Sequence, residues 1–263
     1  MEIRNELKQV MKKLRLSGML ALLPERVAYA RGVKLAHEDF LELILSDEVE
    51  RRRNRSMEVH LKDALLAPDQ TLERFDWDAA ITLEREKVRD LFGLAFLDRR
   101  ENVIITGPVG VGKTHLSNAL GHGAVRRGKR VLMLRSSVFF KRLNQSRADN
   151  SFGKELISFL RPDLLILDDF GLKKLTPSQA DDLYEVIIER YGKSSTLITS
   201  TRHIEEWTSL FDDLLVANSL LDRLAHNAYQ IVIDGESYRK RLGITWKNGW
   251  EGEKQGSPAR PER

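Results

Sequence analysis

Cysteine is absent from the 263-residue sequence, which excludes disulfide bonds and thiolate metal sites. A chain without disulfides suits a reducing compartment, and we expect a cytoplasmic protein. Charged residues interrupt the apolar ones from Glu2 onward, which is not the pattern of a secretory signal peptide. Long hydrophobic runs are also missing, because no stretch approaches the roughly 18 consecutive apolar residues that a membrane helix needs. We therefore expect no membrane partner.

A large excess of charge of one sign is missing too. The formal net charge is +4 at pH 7, and so small an excess does not by itself establish a polyanionic partner. Hydrophobic residues make up 41% of the chain and charged residues 31%, which is typical of a folded globular protein rather than a disordered one. The length is enough for one large α/β domain with a small accessory domain.

The first part of the chain is predicted to be helical. Its apolar residues recur at helical spacing, in Ile3, Leu7, Val10, Met11 and Leu14 and again in Phe40, Leu41, Ile44 and Leu45. We predict a small N-terminal helical domain over residues 1–66, followed by a linker that begins at Ala67 and Pro68. Residues 251–263 have no apolar anchor, and this tail is predicted to be disordered.

From about residue 100, short apolar runs alternate with amphipathic segments long enough to be crossover helices. The runs lie at residues 103–105, 131–134, 164–167, 197–198 and 231–233. Short, continuous apolar strands separated by helices predict a parallel sheet that is covered by helices on both faces. We therefore predict an α/β domain over residues 67–250.

A phosphate-binding pattern, G-x-x-x-x-G-K-[ST], lies between the first apolar run and the helix after it. Its residues are Gly107, Pro108, Val109, Gly110, Val111, Gly112, Lys113 and Thr114. The glycines allow backbone N–H groups to converge on an anion at the positive end of the helix dipole. Lys113 is predicted to reach the β- and γ-phosphates of ATP, and Thr114 to offer its hydroxyl to Mg²⁺. The alternative, a chance glycine-rich turn, does not require the flanking strand and helix.

Two acids, Asp168 and Asp169, end the apolar run at residues 164–167. An acid at the end of such a strand brings a carboxylate beside the metal of a bound nucleotide. We predict that Asp168 holds Mg²⁺ through water and that Asp169 polarises the water that attacks ATP. The alternative is a pair of acids that caps a strand end in solvent.

Four segments of the sequence resemble the IstB-like transposition helper ATPases, which belong to the AAA+ superfamily. They are the P-loop with His115 and Leu116, residues 168–171, residues 221–224 and residues 235–239. The resemblance extends over nearly the whole chain, and the DnaC-like helicase loaders share much of the same pattern. It implies that the α/β domain is an AAA+ ATPase core.

The resemblance also implies roles for four further residues. The strand end at residues 199–201 is similar to a sensor of the γ-phosphate, for which we favour Ser200. Arg223 is similar to an arginine finger that completes a neighbouring subunit's site, Arg239 to a second nucleotide-sensing residue, and Phe75 to residues that line the adenine pocket. Taken singly, Arg223 also fits a surface arginine, Ser200 an ordinary polar strand end, and Phe75 a core aromatic residue. Most AAA+ ATPases carry Glu in place of Asp169. Because the shorter side chain of Asp positions water less readily, slow ATP hydrolysis is a possible consequence.

The partners that the resemblance implies are double-stranded DNA, a transposase to recruit or activate, and further copies of the chain in a homo-oligomer. The run at residues 51–55 holds four arginines and is dense enough to contact phosphates. A solvated helix face balanced by Glu48, Glu50 and Glu58 is the favoured alternative. No aromatic residues are interleaved with the basic ones, so DNA contacts are expected to be weakly sequence-specific. A helicase loader and a nucleotide-gated DNA-binding adaptor with little turnover remain alternative functions.

Overall fold

The computed structural model of the chain describes residues 3–77 and 81–238. The chain divides into two compact units between His60 and Leu61, a few residues before the predicted domain boundary. The predicted tail and Arg239 lie outside the described residues. Within the described ranges, no helix is long and apolar enough to cross a membrane.

The first unit is helical, as its sequence pattern predicts. It contains α1 (Asn5–Lys13), a 3₁₀ turn (Ser17–Leu20), α2 (Leu23–Val33) and most of α3 (His37–Asp63). Buried Met11, Met19 and Leu23 form a small core against partly buried apolar residues of the same unit. Arg26 on α2 binds Asp47 on α3 through two hydrogen bonds of 2.6 and 3.0 Å.

The second unit is built on a five-stranded sheet in which all neighbouring strands are parallel. The strands are β2 (Asn102–Thr106), β3 (Val131–Arg135), β4 (Leu164–Phe170), β5 (Ser195–Ser200) and β6 (Ala228–Val232). Their spatial order is β3-β4-β5-β2-β6, so the first of them, β2, lies inside the sheet between β5 and β6. Four of the five apolar runs each lie within one strand, as expected for a parallel sheet that is covered on both faces. The run at residues 231–233 extends one residue beyond β6, an edge strand that is buried only at Ile231.

Helices connect the strands and supply the rest of the core. They are α4 (Arg85–Phe92), α5 (Ala95–Arg99), α6 (Lys113–Arg126), α7 (Ser136–Ala148), α8 (Phe152–Leu160), α9 (Pro177–Arg190) and α10 (Leu214–Ala225), with 3₁₀ turns at Leu72–Arg74 and Ile204–Leu210. A short antiparallel pair joins β1 (Ile81–Thr82) to β7 (Asp234–Gly235). The predicted fold class, a P-loop α/β core with an N-terminal helical region, is confirmed.

Local signals set several helix ends. Thr176 caps α9 through a capping box with Gln179, and Asp213 caps α10 by accepting from the N–H groups of Leu215 and Val216. The buried guanidinium of Arg190, at the end of α9, donates to the carbonyls of Phe159 and Pro162 at 2.8 and 2.9 Å. These bonds fix the connections at the edge of the sheet where the strands begin. The candidate site lies at the opposite edge, where the strands end.

Candidate functional site

The predicted phosphate loop lies between the end of β2 and the first residue of α6. Gly107, Gly110 and Gly112 have φ of +146°, +87° and +98°, which side chains other than glycine rarely adopt. Space forbids a side chain as well, since a Cβ at Gly107 would lie 2.0 Å from the carbonyl oxygen of Ile233. The loop is therefore a backbone cradle that requires glycine at these positions.

Lys113 is buried inside this cradle. Its side chain is 6% exposed, and its Nζ donates to the carbonyl oxygens of Gly107 at 2.7 Å and Pro108 at 2.6 Å. The ammonium group therefore lies within the curve of the loop, at the N-terminus of α6. A positive charge and a helix N-terminus meet at one point, which is an arrangement that attracts an anion.

Asp168, on β4, is bonded to hydroxyl groups from two other elements. Thr114 Oγ1 donates to its carboxylate at 3.0 Å, and Thr199 Oγ1 donates to it at 2.5 Å. Burial raises the pKa of Asp168, the Thr199 hydrogen bond opposes this, and the neighbouring charge of Asp169 raises the pKa further. The structure thus brings Thr114 and Asp168, the two residues predicted to hold a metal, into direct contact.

Asp169 has an unusual backbone conformation. Its φ is +56°, in the left-handed region, and the pairing of β4 with β5 shifts in register between Leu167 and Phe170. Its N–H donates to Thr199 Oγ1 at 2.9 Å. As a result Asp168 is buried while the next residue, Asp169, lines the cleft beside the phosphate loop.

This cleft has a volume of about 520 Å³, in the range of small-molecule sites. Beyond residues 109–115 of the phosphate loop and α6, it is lined by Asp69, Gln70, Arg74, Phe75, Asp76, Ile81, Asp169, Leu172, Thr201 and Tyr238. All of these belong to the second unit. The cleft lies where β2 and β4 end, the edge at which parallel sheets bind ligands.

Phe75 lines the cleft from the segment before the core. Its ring packs edge-on against Trp77 and His115, with centroids 4.8 and 5.3 Å apart, and it lies 3.3 Å from where a Cβ at Gly112 would be. The structure therefore places this predicted base-pocket residue directly beside the phosphate loop.

The segment that carries Phe75 is bonded along one face of α6, a feature that the sequence patterns did not indicate. Asn118 Oδ1 accepts from the N–H of Ala67 at 2.8 Å, while Nε2 of His115 and of His122 bond the carbonyls of Thr71 and Ala67 at 2.8 Å each. The spacing of these side chains, three or four residues apart, is the one signal in the sequence that could have revealed this contact.

The residues predicted from the resemblance are placed differently from one another. Ser200 is fully buried, and its hydroxyl donates to the carbonyl of Phe170 at 2.8 Å rather than lining the cleft. Its neighbour Thr201 does line the cleft. Arg223 is half-buried on α10, where it donates to the carbonyl and hydroxyl of Ser219 at 2.8 and 2.6 Å, away from the cleft of its own chain.

The C-terminal end of the described chain packs on the phosphate loop. The N–H of Tyr238 donates to the carbonyl of Gly110 at 3.0 Å, and a Cβ at Gly110 would lie 2.1 Å from Ser237 Oγ. Residues 235–239 are one of the four segments that carry the family resemblance, but the sequence did not indicate their contact with the phosphate loop.

A five-stranded parallel sheet of this order, with a P-loop after β2 and a paired acid on β4, defines a P-loop protein of the AAA+ class.

Comparison with known proteins narrows this class to a family. The model of the IstB-like ATP binding protein family matches residues 9–244, and the chain belongs to this family. An ATP-binding protein in an insertion sequence of Mycobacterium tuberculosis is 42% identical over 89% of this chain and 94% of its own length. The ATP-binding protein of insertion sequence IS21 from Pseudomonas aeruginosa is 35% identical over 93% of this chain and 94% of its own.

Solved structures of similar fold include replication initiation proteins. DnaI has a TM-score of 0.55 at 21% identity, over 62% of this chain and 90% of its own. AMPPCP-bound DnaA from Aquifex aeolicus has a TM-score of 0.53 at 22% identity, over 74% of this chain and 58% of its own. At this identity the likeness shows the fold alone.

Proposed function

We propose that this chain is a Mg²⁺-dependent ATPase that assembles on double-stranded DNA and recruits or activates a transposase, with a role in DNA recombination in the cytoplasm. The observation that carries the ATPase assignment is the contact of Thr114 with Asp168 beside the buried ammonium of Lys113. A hydroxyl, a carboxylate and a cation at the end of a glycine cradle are what a metal–triphosphate complex requires.

The residues present fit Mg²⁺. Thr114 and Asp168 offer only oxygen atoms, which this hard cation prefers, and one or two protein oxygens with phosphate and water complete its usual octahedron. When bound, Mg²⁺ supplies charge neutralisation across the phosphates. Thr114 and Asp168 would hold it, and the Thr199 hydroxyl would orient the Asp168 carboxylate from behind.

The remaining side chains of the cleft have separable roles in this proposal. Lys113 binds the β- and γ-phosphates, exchanging the loop carbonyls for phosphate oxygens. Asp169, which lines the cleft, orients and polarises the attacking water. Thr201 is placed to contact the γ-phosphate, and Phe75 supplies an apolar wall for the base.

The transposition part of the proposal draws support from the relatives, and the oligomer part from the placement of Arg223. Two relatives that are 35% and 42% identical over nearly the whole chain are named as proteins of insertion sequences, which favours transposition over helicase loading. Arg223 does not line the cleft of its own chain, and we infer that it completes the site of a neighbouring copy.

Steady-state ATP hydrolysis with and without duplex DNA tests this function. Turnover that needs Mg²⁺ and rises with DNA is expected. ATP binding without turnover would favour the nucleotide-gated adaptor instead. Capture of a replicative helicase, but not of a transposase, would favour a loader and contradict the transposition role.

A further inference from the structure

An open groove in the first unit is lined mainly by arginine side chains. It has a volume of about 460 Å³, and the residues that line it are Arg15, Arg51, Arg52, Arg55, Ser56 and Val59. No acidic side chain is among these lining residues. The groove is distinct from the nucleotide cleft, which is lined by residues of the second unit.

Two of these arginines are held in place by one buried carboxylate. Glu48 is 4% exposed, and its two oxygens accept from Nε and Nη2 of Arg51, each at 2.8 Å. The same carboxylate accepts from Arg52 Nε at 2.7 Å, and Arg52 Nη2 donates to the carbonyl of Arg15 at 2.6 Å. Because a guanidinium has five N–H donors, Arg51 and Arg52 each keep most of their donors for another acceptor.

The other two arginines carry charge that the structure does not neutralise. Among the described residues, the side chains of Arg15 and Arg55 make no ion pair, whereas Arg51 and Arg52 share the single charge of Glu48. Positive charge therefore exceeds negative charge at the groove. The favoured sequence interpretation, a helix face balanced by Glu48, Glu50 and Glu58, accounts for only part of this cluster.

We propose that this groove binds the phosphodiester backbone of double-stranded DNA. The planar fork of arginine matches two phosphate oxygens at once, and Glu48 holds two of the forks in position before binding. The lining includes one apolar residue, Val59, whereas a protein partner would need a desolvated apolar centre. No aromatic side chain is present to stack on bases, so the contact positions the duplex without reading its sequence.

The inference rests on the proposed DNA binding and names the surface that supplies it. Its test uses the full chain with Arg15→Gln and Arg55→Gln together, because neither side chain has a partner that would be left as an unpaired buried charge. Arg31→Gln with Arg53→Gln is the matched control, since both arginines are exposed in the same unit and do not line the groove.

Duplexes of unrelated sequence are titrated at several salt concentrations with each protein. The slope of log K against log salt is negative, and each lost phosphate contact reduces its magnitude by about 0.9. The groove variant loses two contacts, so the magnitude of its slope is expected to be smaller by about 1.8. We expect its affinity at low salt to fall tenfold or more. The control is expected to keep the wild-type slope, and both variants are expected to keep the ATP turnover measured without DNA.

The outcomes separate the groove from the wider function. Equal losses of DNA affinity in both variants would assign the effect to net charge. A wild-type slope in the groove variant would show that Arg15 and Arg55 do not contact phosphates. Either result overturns the inference about the groove but leaves the proposed DNA binding standing. Wild-type protein that binds no duplex overturns the proposed DNA binding as well. Unchanged DNA affinity with lost capture of the transposase assigns the groove to a protein partner and also overturns the inference. If the double variant melts early, Arg55→Gln alone gives the same test with a slope change of about 0.9.

Discussion

At the scale of single residues, the hydroxyl of Thr199 links the two acids of the site. It donates to the Asp168 carboxylate at 2.5 Å and accepts from the N–H of Asp169 at 2.9 Å. Successive side chains of a strand point to opposite faces. Because the Thr199 side chain points towards Asp168, the Ser200 side chain points to the opposite face. This alternation explains why the favoured Ser200 is buried against Phe170, and why the next residue, Thr201, lines the cleft.

Thr201→Ala is expected to lower ATP turnover, because Thr201 lines the cleft whereas Ser200 does not. Ser200→Ala should instead lower the free energy of unfolding by about 1–3 kcal/mol, since it removes a buried hydroxyl that bonds two backbone groups. Turnover and thermal melting of both variants check this. Normal turnover in Thr201→Ala with slow turnover in stably folded Ser200→Ala would restore Ser200 as the sensor.

Lys113→Ala is expected to abolish ATP binding or turnover, because the buried ammonium inside the glycine cradle is removed. Lys154→Ala, which removes an exposed lysine of α8, is the control and should bind and hydrolyse ATP like the wild type. Nucleotide affinity and turnover are measured for both variants. Wild-type activity in Lys113→Ala would refute the phosphate site.

At the scale of elements, helix α3 depends on the ionised form of Glu48. The hydrogen bond from Arg51 outweighs burial and lowers the pKa of Glu48 to about 2, from an ordinary value of 4.5. The ionised carboxylate therefore contributes stability that is fully present above pH of about 4.5 and is lost as the pH falls towards about 2. Glu48→Gln should cost about 1–3 kcal/mol of unfolding free energy at neutral pH.

Denaturant unfolding at several pH values checks this dependence. The difference between wild type and Glu48→Gln should shrink across the acid window, whereas Glu50→Gln, at an exposed position of the same helix, should match the wild type throughout. A difference that stays constant down to pH of about 2 would mean that packing, and not charge, sets the role of Glu48.

Strands and helices of the core were predictable because their patterns are local. An apolar run such as residues 164–167 must be buried on both faces, and the P-loop lies between such a run and a helix. The contacts of α6 with residues 67–73 were not predictable, since they join polar side chains to backbone groups about 50 positions apart in the chain. The left-handed conformation of Asp169 was hidden for a similar reason, because it follows from the register shift between β4 and β5.

At the scale of the whole molecule, the role proposed for Arg223 requires an assembly of several copies. Arg223→Ala is expected to bind ATP and to hydrolyse it poorly, because an arginine finger contributes on the order of 10³–10⁵ in rate. Asp169→Asn should be inactive for a different reason, the loss of water polarisation, and asparagine tolerates the left-handed backbone at this position.

Mixing the two variants separates action across an interface from action within one chain. With random head-to-tail assembly, about a quarter of the interfaces combine an intact Asp169 with an intact Arg223, and partial recovery of ATPase activity is expected. The total protein concentration is held constant, and each variant alone is the baseline. A mixture that co-assembles and stays as inactive as its components would show that Arg223 is not a finger acting in trans.

The bonding of residues 67–73 along α6 has a consequence for building chimeras within the family. Asn118, His122 and His115 each match one backbone group of that segment, while α6 itself begins at the phosphate loop. A donor segment transplanted without its own α6 would lose these matched partners and misplace Phe75. Segment and helix should therefore be exchanged as one cassette, even though the glycine cradle and the first strand of the sheet lie between them in the chain.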